Sequence, residues 1–394
     1  MLKEKIKQLA GTIQEAVVRD RRHLHAHPEL SFQEFETSAF IKSALDKLGI
    51  QYQSMAENGV VALIKGAKPS ENVVALRADF DALPIFEANE VPYKSLNVGV
   101  MHACGHDVHT SSLLGTATIL MELREEFAGT VKLIFQPAEE KLPGGANLMI
   151  KEGVLENPKP QAVIGQHVMP LIETGKVGFR SGKYMASTDE LYVTIRGKGG
   201  HAAQPSHNID PVLITSHIIV ALQQIVSRSA DPKMPTVLSF GKVIANGATN
   251  VIPNEVKLEG TFRTMNEEWR AEAHRRMKKI AEGIAESMGG TCEFTIVKGY
   301  PFLVNEEKLT ANLRGFAEDY LGKENVVDLD IWMAAEDFAY FSQVADSCFY
   351  RLGTRNEARG IVSSVHTPTF DIDENALMLS TGLMTYLALK RLGN

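Results

Sequence analysis

The run Val73-Val74-Ala75-Leu76-Arg77-Ala78-Asp79-Phe80-Asp81 is apolar up to Arg77 and closes on two carboxylates. A near-continuous apolar run of this length reads as a strand buried on both faces, the type found in parallel sheets. Carboxylates just beyond the C-terminal end of such a strand lie where open α/β sheets build their sites. The pattern repeats. Thr130-Val131-Lys132-Leu133-Ile134-Phe135 runs into Gln136-Pro137-Ala138-Glu139-Glu140, and residues 161–165 run into Gln166-His167. Three strands therefore deliver Asp79, the Glu139-Glu140 pair and His167 to one end, with helical patterns between them. This predicts an α/β fold and a site at the strand ends.

Between the first two of these strands lies His102-Ala103-Cys104-Gly105-His106-Asp107-Val108-His109-Thr110. Thiolate and imidazole are the ligands that borderline-soft divalent metals prefer. Cys104 and His106 are two apart on a glycine-containing loop and can address one point. No second ligand pair follows at zinc-finger spacing, so the other ligands must come from distant parts of the chain, as in a catalytic centre. An apolar helix pattern spans 111–127.

Toward the N-terminus, residues 1–22 form an amphipathic helix pattern with Leu2, Ile6, Leu9, Ile13 and Val17 on one face. His23, His25 and His27 follow at alternate positions. Pro28 biases its predecessor toward extended backbone, so a helix boundary explains this polar stretch. His27 and Glu29 are read as structural or as supports behind the metal ligands, His23, His25, His207, His217 and His274 as surface or core histidines, and His109 as polar packing at a helix start. The next helix ends at Gly49.

Beyond Ser187 the pattern changes. Leu191, Val193 and Ile195 alternate with polar residues, the mark of a half-exposed antiparallel strand. Helix patterns at 211–229 and 267–288 and strand patterns at 236–245, 255–264 and 291–297 complete a β-α-β-β-α-β order, the split ferredoxin-like unit. The expected organisation is a catalytic domain in two pieces, 1–185 and 298–394, with an inserted ferredoxin-like domain at 186–297. After Pro301 the α/β style returns, with an isolated His366 on a Pro-braced loop and a closing helix at 375–391.

Composition bounds the function. The chain has 394 residues, 44% hydrophobic and 23% charged, with formal charge −7. That length favours two domains. The absence of a basic stripe argues against a nucleic-acid partner. No apolar run approaches a membrane span, and no signal-peptide core is read. Cys104, Cys292 and Cys348 form no disulfide framework, which points to a reducing, cytoplasmic setting.

Taken together, Arg77-Ala78-Asp79-Phe80-Asp81-Ala82-Leu83-Pro84, the Cys104 loop, Gln136-Pro137-Ala138-Glu139-Glu140, Gly199-Gly200-His201-Ala202, Asn250-Val251-Ile252-Pro253-Asn254 and Glu336-Asp337-Phe338 carry a resemblance along essentially the whole chain. The sequence resembles the aminoacylase/carboxypeptidase clan of di-metal hydrolases, in its amidohydrolase branch of hippurate hydrolases, auxin-conjugate hydrolases and bacterial N-acylamino-acid deacetylases. The resemblance implies a three-layer α/β/α catalytic domain with a ferredoxin-like lid that also serves dimerisation. It implies hydrolysis of an N-acyl-L-amino acid, with a dipeptidase or carboxypeptidase, or an inactive binding homologue, as alternatives. It implies two divalent metal ions, Zn, Mn, Co or Ni, held by Cys104, His106, Glu140, His167 and His366, with Glu139 as general base. Other branches open with His-x-Asp where this chain has Arg77-Ala78-Asp79, so that ligand is absent and Asp79 is left in a supporting catalytic role. Cys104 is the suspected bridging ligand, with His106 in a nearby slot. His201 is implied as an oxyanion donor reaching a partner subunit's site, hence a homodimer, and Asn250 and Arg263 as contacts to the substrate carboxylate.

Overall fold

The computed structural model describes residues 2–394 and divides the chain into two compact units. In chain order the elements are α1 (Leu2–Ala26), α2 (Phe35–Lys47), β1 (Tyr52–Met55), β2 (Gly59–Lys65), β3 (Lys68–Asp79), α3 (His106–Glu122), β4 (Ala128–Gln136), α4 (Gly145–Lys151), β5 (Val163–Glu173) and β6 (Val177–Phe179). There follow β7 (Asp189–Arg196), α5 (Pro211–Leu222), β8 (Thr236–Ile244), β9 (Glu255–Thr264), α6 (Glu267–Ser287) and β10 (Thr291–Lys298). The chain then continues through α7 (Glu307–Leu321), β11 (Val326–Asp328), β12 (Ser347–Arg355) and α8 (Asn375–Arg391).

The first unit is built on an eight-stranded mixed sheet in the order β1-β2-β4-β3-β5-β12-β6-β11. Its centre is parallel: β3 pairs with β4 and β5, and β5 with β12. Helices α1, α3 and α8 pack on one another, and α3 and α8 also rest on β3. Ile6, Ala10, Val17 and Leu24 of α1 are buried, at spacings of four and seven that place them on one helix face. The parallel centre explains the near-continuous apolar runs, and it aligns the C-terminal ends of β3, β4 and β5.

Helix α3 differs from the pattern read at 111–127. It begins at His106 and ends at Glu122. Gly105 precedes it with φ +82°, a left-handed conformation, and an added Cβ there would fall 2.6 Å from the Val168 side chain. Glycine alone suits both demands, so the helix starts as soon as Gly105 is passed. His106, Asp107, His109 and Thr110 consequently sit on its first turns, all buried.

The second unit has a four-stranded antiparallel sheet in the order β8-β9-β7-β10, with α5 and α6 packed against it. That is the strand order of the ferredoxin-like unit. Leu191, Val193 and Ile195 of β7 face Ile214 and Ile218 of α5 and Ala273, Met277 and Ala281 of α6 in one buried cluster. Asp210 caps α5 by accepting from Val212 N at 2.8 Å, and Asn266 caps α6 by accepting from Trp269 N at 2.8 Å. The unit comprises residues 185–303 and also takes in 332–336, because the Ala186 amide hydrogen-bonds to Trp332 and Ala334 carbonyls. Pro211–Ser229 amends one expectation: its 19 residues are long and apolar enough, by composition, to cross a membrane. Here Ile214, Ile218, Leu222 and Ile225 of that stretch are buried in the unit's own core.

Candidate metal centre

Five side chains from four parts of the first unit converge. The Cys104 Sγ lies 3.3 Å from His167 Nε2 and 3.3 Å from His366 Nε2. His366 Nε2 is 3.3 Å from Glu140 Oε1, and His106 Nε2 is 4.0 Å from the same oxygen. The donor atoms fall into overlapping trios, each within 4.8 Å: Cys104 with His106 and His167, Cys104 with Glu140 and His366, and His106 with Glu139 and Glu140. Local backbone explains the convergence. Cys104 precedes the Gly105 turn, His106 opens α3, His167 lies on β5, and Glu139 and Glu140 leave β4 through a kink at Ala138. His366 adopts φ +61°, and its amide donates to the Ala103 carbonyl at 2.7 Å, pinning it to the Cys104 loop. A left-handed non-glycine residue of this kind is strain stored at a site.

Behind the donors, hydrogen bonds fix which nitrogen each imidazole presents. His106 Nδ1 donates to Asp81 Oδ1 at 3.1 Å, and Asp81 Oδ2 accepts from Ser31 Oγ at 2.6 Å and Glu140 N at 2.9 Å. His167 Nδ1 donates to the Val168 carbonyl at 2.7 Å. His167 thereby turns an unprotonated Nε2 toward Cys104, and His106 would do so once a cation displaces its second proton, the arrangement in which a carboxylate or carbonyl orients a metal-binding histidine. His109 is saturated: Nδ1 donates to Asp79 Oδ1 at 2.5 Å and Nε2 accepts from Val168 N at 3.0 Å. Asp79 lies 3.7 Å from His106 Nε2 and also accepts from Arg77 Nη1 at 2.6 Å. Arg77, fully buried, donates its other groups to Gln136 Oε1 and Asp337 Oδ1, both at 2.8 Å.

The cluster fits a divalent cation. His106 Nε2 and Glu140 Oε1 are buried with no hydrogen-bond partner among the described residues. Burial alone would lower the His106 pKa, but Asp79, Asp81 and Glu140 outweigh it and push it up to about 10. Burial, Glu140 and Glu139 hold the Cys104 thiol well above its usual range. Burial and Arg351 hold His167 neutral, well below the usual imidazole range. A pocket that raises both a histidine and a thiol is short of positive charge, and a metal ion supplies that charge while converting the thiol to thiolate. The donors are those of a Zn-like or first-row transition ion.

The description Peptidase family M20/M25/M40 matches residues 75–390. The chain belongs to that family. It is 41% identical to N-acetyl-L-cysteine deacetylase of Bacillus subtilis over 97% of this chain and 89% of the relative. It is 44% identical to N-acyl-L-amino acid amidohydrolase of Geobacillus stearothermophilus over 78% of this chain and 83% of that one. Among solved structures, the Bacillus subtilis YXEP protein, described as a dinuclear metal binding peptidase of the M20 family, is similar with TM-score 0.83 and 36% identity, covering 97% and 99% of the two chains. Membership of the M20/M25/M40 family makes this chain a hydrolase of amide bonds that uses divalent metal ions.

The other residues singled out in the sequence, His201, Asn250 and Arg263, lie on the second unit. His201 and Asn250 are neighbours there: Val251 pairs with His201, and Ala202 N donates to the Asn250 carbonyl at 3.0 Å. Both side chains are exposed. His201 Nδ1 accepts from Ala203 N at 3.1 Å, which leaves Nε2 as a donor. Arg263 is half-buried and donates to the Met333 carbonyl at 3.0 Å, and burial lowers its pKa. In the first unit, sequence reasoning passed over Asp81 and Asp337. Asp81 was visible as a second carboxylate at the end of β3. Asp337 accepts from Arg77, Gln136 and Ala146, and its amide donates to Glu139 Oε1 at 3.3 Å. Asp337 stood in the Glu336-Asp337-Phe338 motif that carries the resemblance, but the motif alone assigned it no role.

Proposed function

We propose that this chain is an N-acyl-L-amino acid amidohydrolase that binds two divalent cations through Cys104, His106, Glu140, His167 and His366. The observation that carries the reading is that Cys104 Sγ belongs to two donor trios at once, with His106 and His167 and with Glu140 and His366. A thiolate at Cys104 would serve two neighbouring ions, since the same sulfur is within reach of both groups of donors. Cations bound there supply Lewis acidity, which lowers the pKa of water to about 7 in favourable sites and polarises a carbonyl.

The chain's own groups do the rest. Glu139, adjacent to Glu140 but not among the five donors, takes the proton of the attacking water and delivers it to the leaving amine nitrogen. Asp337 holds Glu139 through its amide, and Asp79 supports the wall through Arg77 and His109. His201, donating from Nε2, stabilises the oxyanion in the site of a second copy, and Asn250 and Arg263 bind the substrate carboxylate, Arg263 by its planar fork. The homodimer this requires is supported by the exposed apolar residues Val212, Leu213 and Val220 on α5. The three cysteines are free, which accords with a cytoplasmic setting.

The test is turnover of N-acetyl, N-benzoyl and dipeptide substrates by metal-reconstituted protein, with Glu139→Gln in parallel. The expected result is preference for an N-acyl amino acid and a loss of about 10²–10⁴-fold in kcat for Glu139→Gln at unchanged metal content. Dipeptides as the best substrates would assign a dipeptidase instead, and an unaffected Glu139→Gln would remove the base.

A further inference from the structure

Glu34 precedes α2, 104 positions before Ala138, and belongs to none of the site motifs above. Its side chain is fully buried. One carboxylate oxygen accepts from Ala138 N at 2.8 Å, and the other accepts from Asn58 Nδ2 at 3.1 Å. Ala138 has φ +51°, the left-handed region that an alanine enters only when its surroundings compel it. The other side of the same residue is also held: its carbonyl accepts from Gly145 N at 3.0 Å. Gly145 passes so close that an added Cβ would lie 1.8 Å from the Pro137 carbonyl oxygen. The kink between β4 and Glu139 is thus gripped on its N–H by Glu34 and on its carbonyl by Gly145.

We infer that Glu34 is a positioning residue for the hydrolysis: by capturing the Ala138 N–H it holds the left-handed turn that aims the Glu139 carboxylate. The inference rests on the reading of Glu139 as base. Reach is what matters, not charge. Burial and the Asp81 carboxylate push the Glu34 pKa up to about 7, so a neutral group is tolerated at this position. A glutamine keeps an acceptor for the Ala138 N–H, and its amide can donate to a rotated Asn58. An aspartate keeps the charge but is one methylene too short.

The test compares kcat, KM and metal content of the full-length, metal-reconstituted enzyme with those of Glu34→Gln, Glu34→Asp and Glu34→Ala, on an N-acetyl amino acid. Glu34→Gln is expected to stay within about threefold of the parent, because the hydrogen bond survives. Glu34→Asp and Glu34→Ala are expected to lose about ten- to a hundredfold in kcat, with KM and metal content unchanged, as small misplacements of a reacting group do. If Glu34→Ala fails to fold, the Gln and Asp pair decides, since both retain a buried polar side chain. Glu34→Asp turning over like the parent, Glu34→Gln failing as badly as Glu34→Ala, or losses that track metal content would overturn the inference. Glu139→Gln is measured alongside. If it is inactive while Glu34→Asp is normal, only the positioning role fails; if it is fully active, the base reading itself fails.

Discussion

The two units treat buried charge differently. The first hides a web of it: Arg77, Asp79, Asp81, His106, His109, Asp107 and Asp337 are all fully buried or nearly so. The second has an apolar core with one ionic knot, in which Asp189 accepts from Arg270 at 2.6 and 2.9 Å and from His274 at 2.7 Å. Of its candidate functional groups, His201 and Asn250 are outside that core and exposed, and Arg263 is half-buried. A web of buried charge is costly to desolvate and repays the cost only when every partner is in place, so it fixes side chains rigidly. The comparison therefore separates a preorganised centre from an exposed surface whose side chains are free to move.

Four measurements sharpen or break that contrast, from the largest effect to the smallest. Chelation should abolish hydrolysis, and added Zn²⁺, Mn²⁺, Co²⁺ or Ni²⁺ should restore it. The linked stabilisation, about 4 kcal/mol at a metal concentration a thousandfold above Kd, should appear by hydrogen exchange in the first unit and not in β7–β10. Equal protection changes in both units would erase the distinction. Next, Arg270→Met leaves Asp189 buried with only His274 and the Gly299 amide to pair it, and should destabilise the second unit by about 3–5 kcal/mol in denaturant melts. An unchanged melt would mean the knot is not structural.

Third, Asp81→Ala removes the acceptor of His106 Nδ1 and should lower metal affinity or turnover about 10–100-fold, read by competitive metal titration. The smallest effect concerns pH. Burial raises the Asp189 pKa, but the bonds from His274 and Arg270 prevail and leave it below its ordinary 3.8. A carboxylate depressed in the folded state contributes stability that is present above the unfolded value and lost as pH falls through the folded one. The second unit should therefore lose stability as acid is added below about pH 4, and Asp189→Asn should flatten that slope while lowering stability at neutral pH. A slope unchanged in the variant would assign acid sensitivity elsewhere.

Much of this was legible in the sequence. The α/β class followed from apolar runs stopped by carboxylates at Asp79 and Glu139, and the ferredoxin-like order followed from the period-two alternation of β7. The residues that converge were legible because cysteine and clustered histidines are chemically conspicuous. What escaped was the support. Arg77 meets Asp337 across 260 positions, Glu34 meets Ala138 across 104, and Asp81 meets the Glu140 amide across 59. A lone carboxylate looks the same in sequence whether it is solvated or locked in a core, because its partner is chosen by the fold. The start of α3 was misjudged for a related reason: a run of histidines reads as loop, and the close approach of Val168 to Gly105 is set from another strand.

Arg77 has a consequence for how the protein is matured. Its guanidinium, braced by Asp79 and Asp337, is a permanent cation that no chelator can strip away and no change of pH in the living range can discharge. The rear wall therefore carries its hydrogen-bonded cation whether or not an ion is bound, while the donor side stays short of positive charge until one is. We expect newly made polypeptide to fold first and be loaded afterwards.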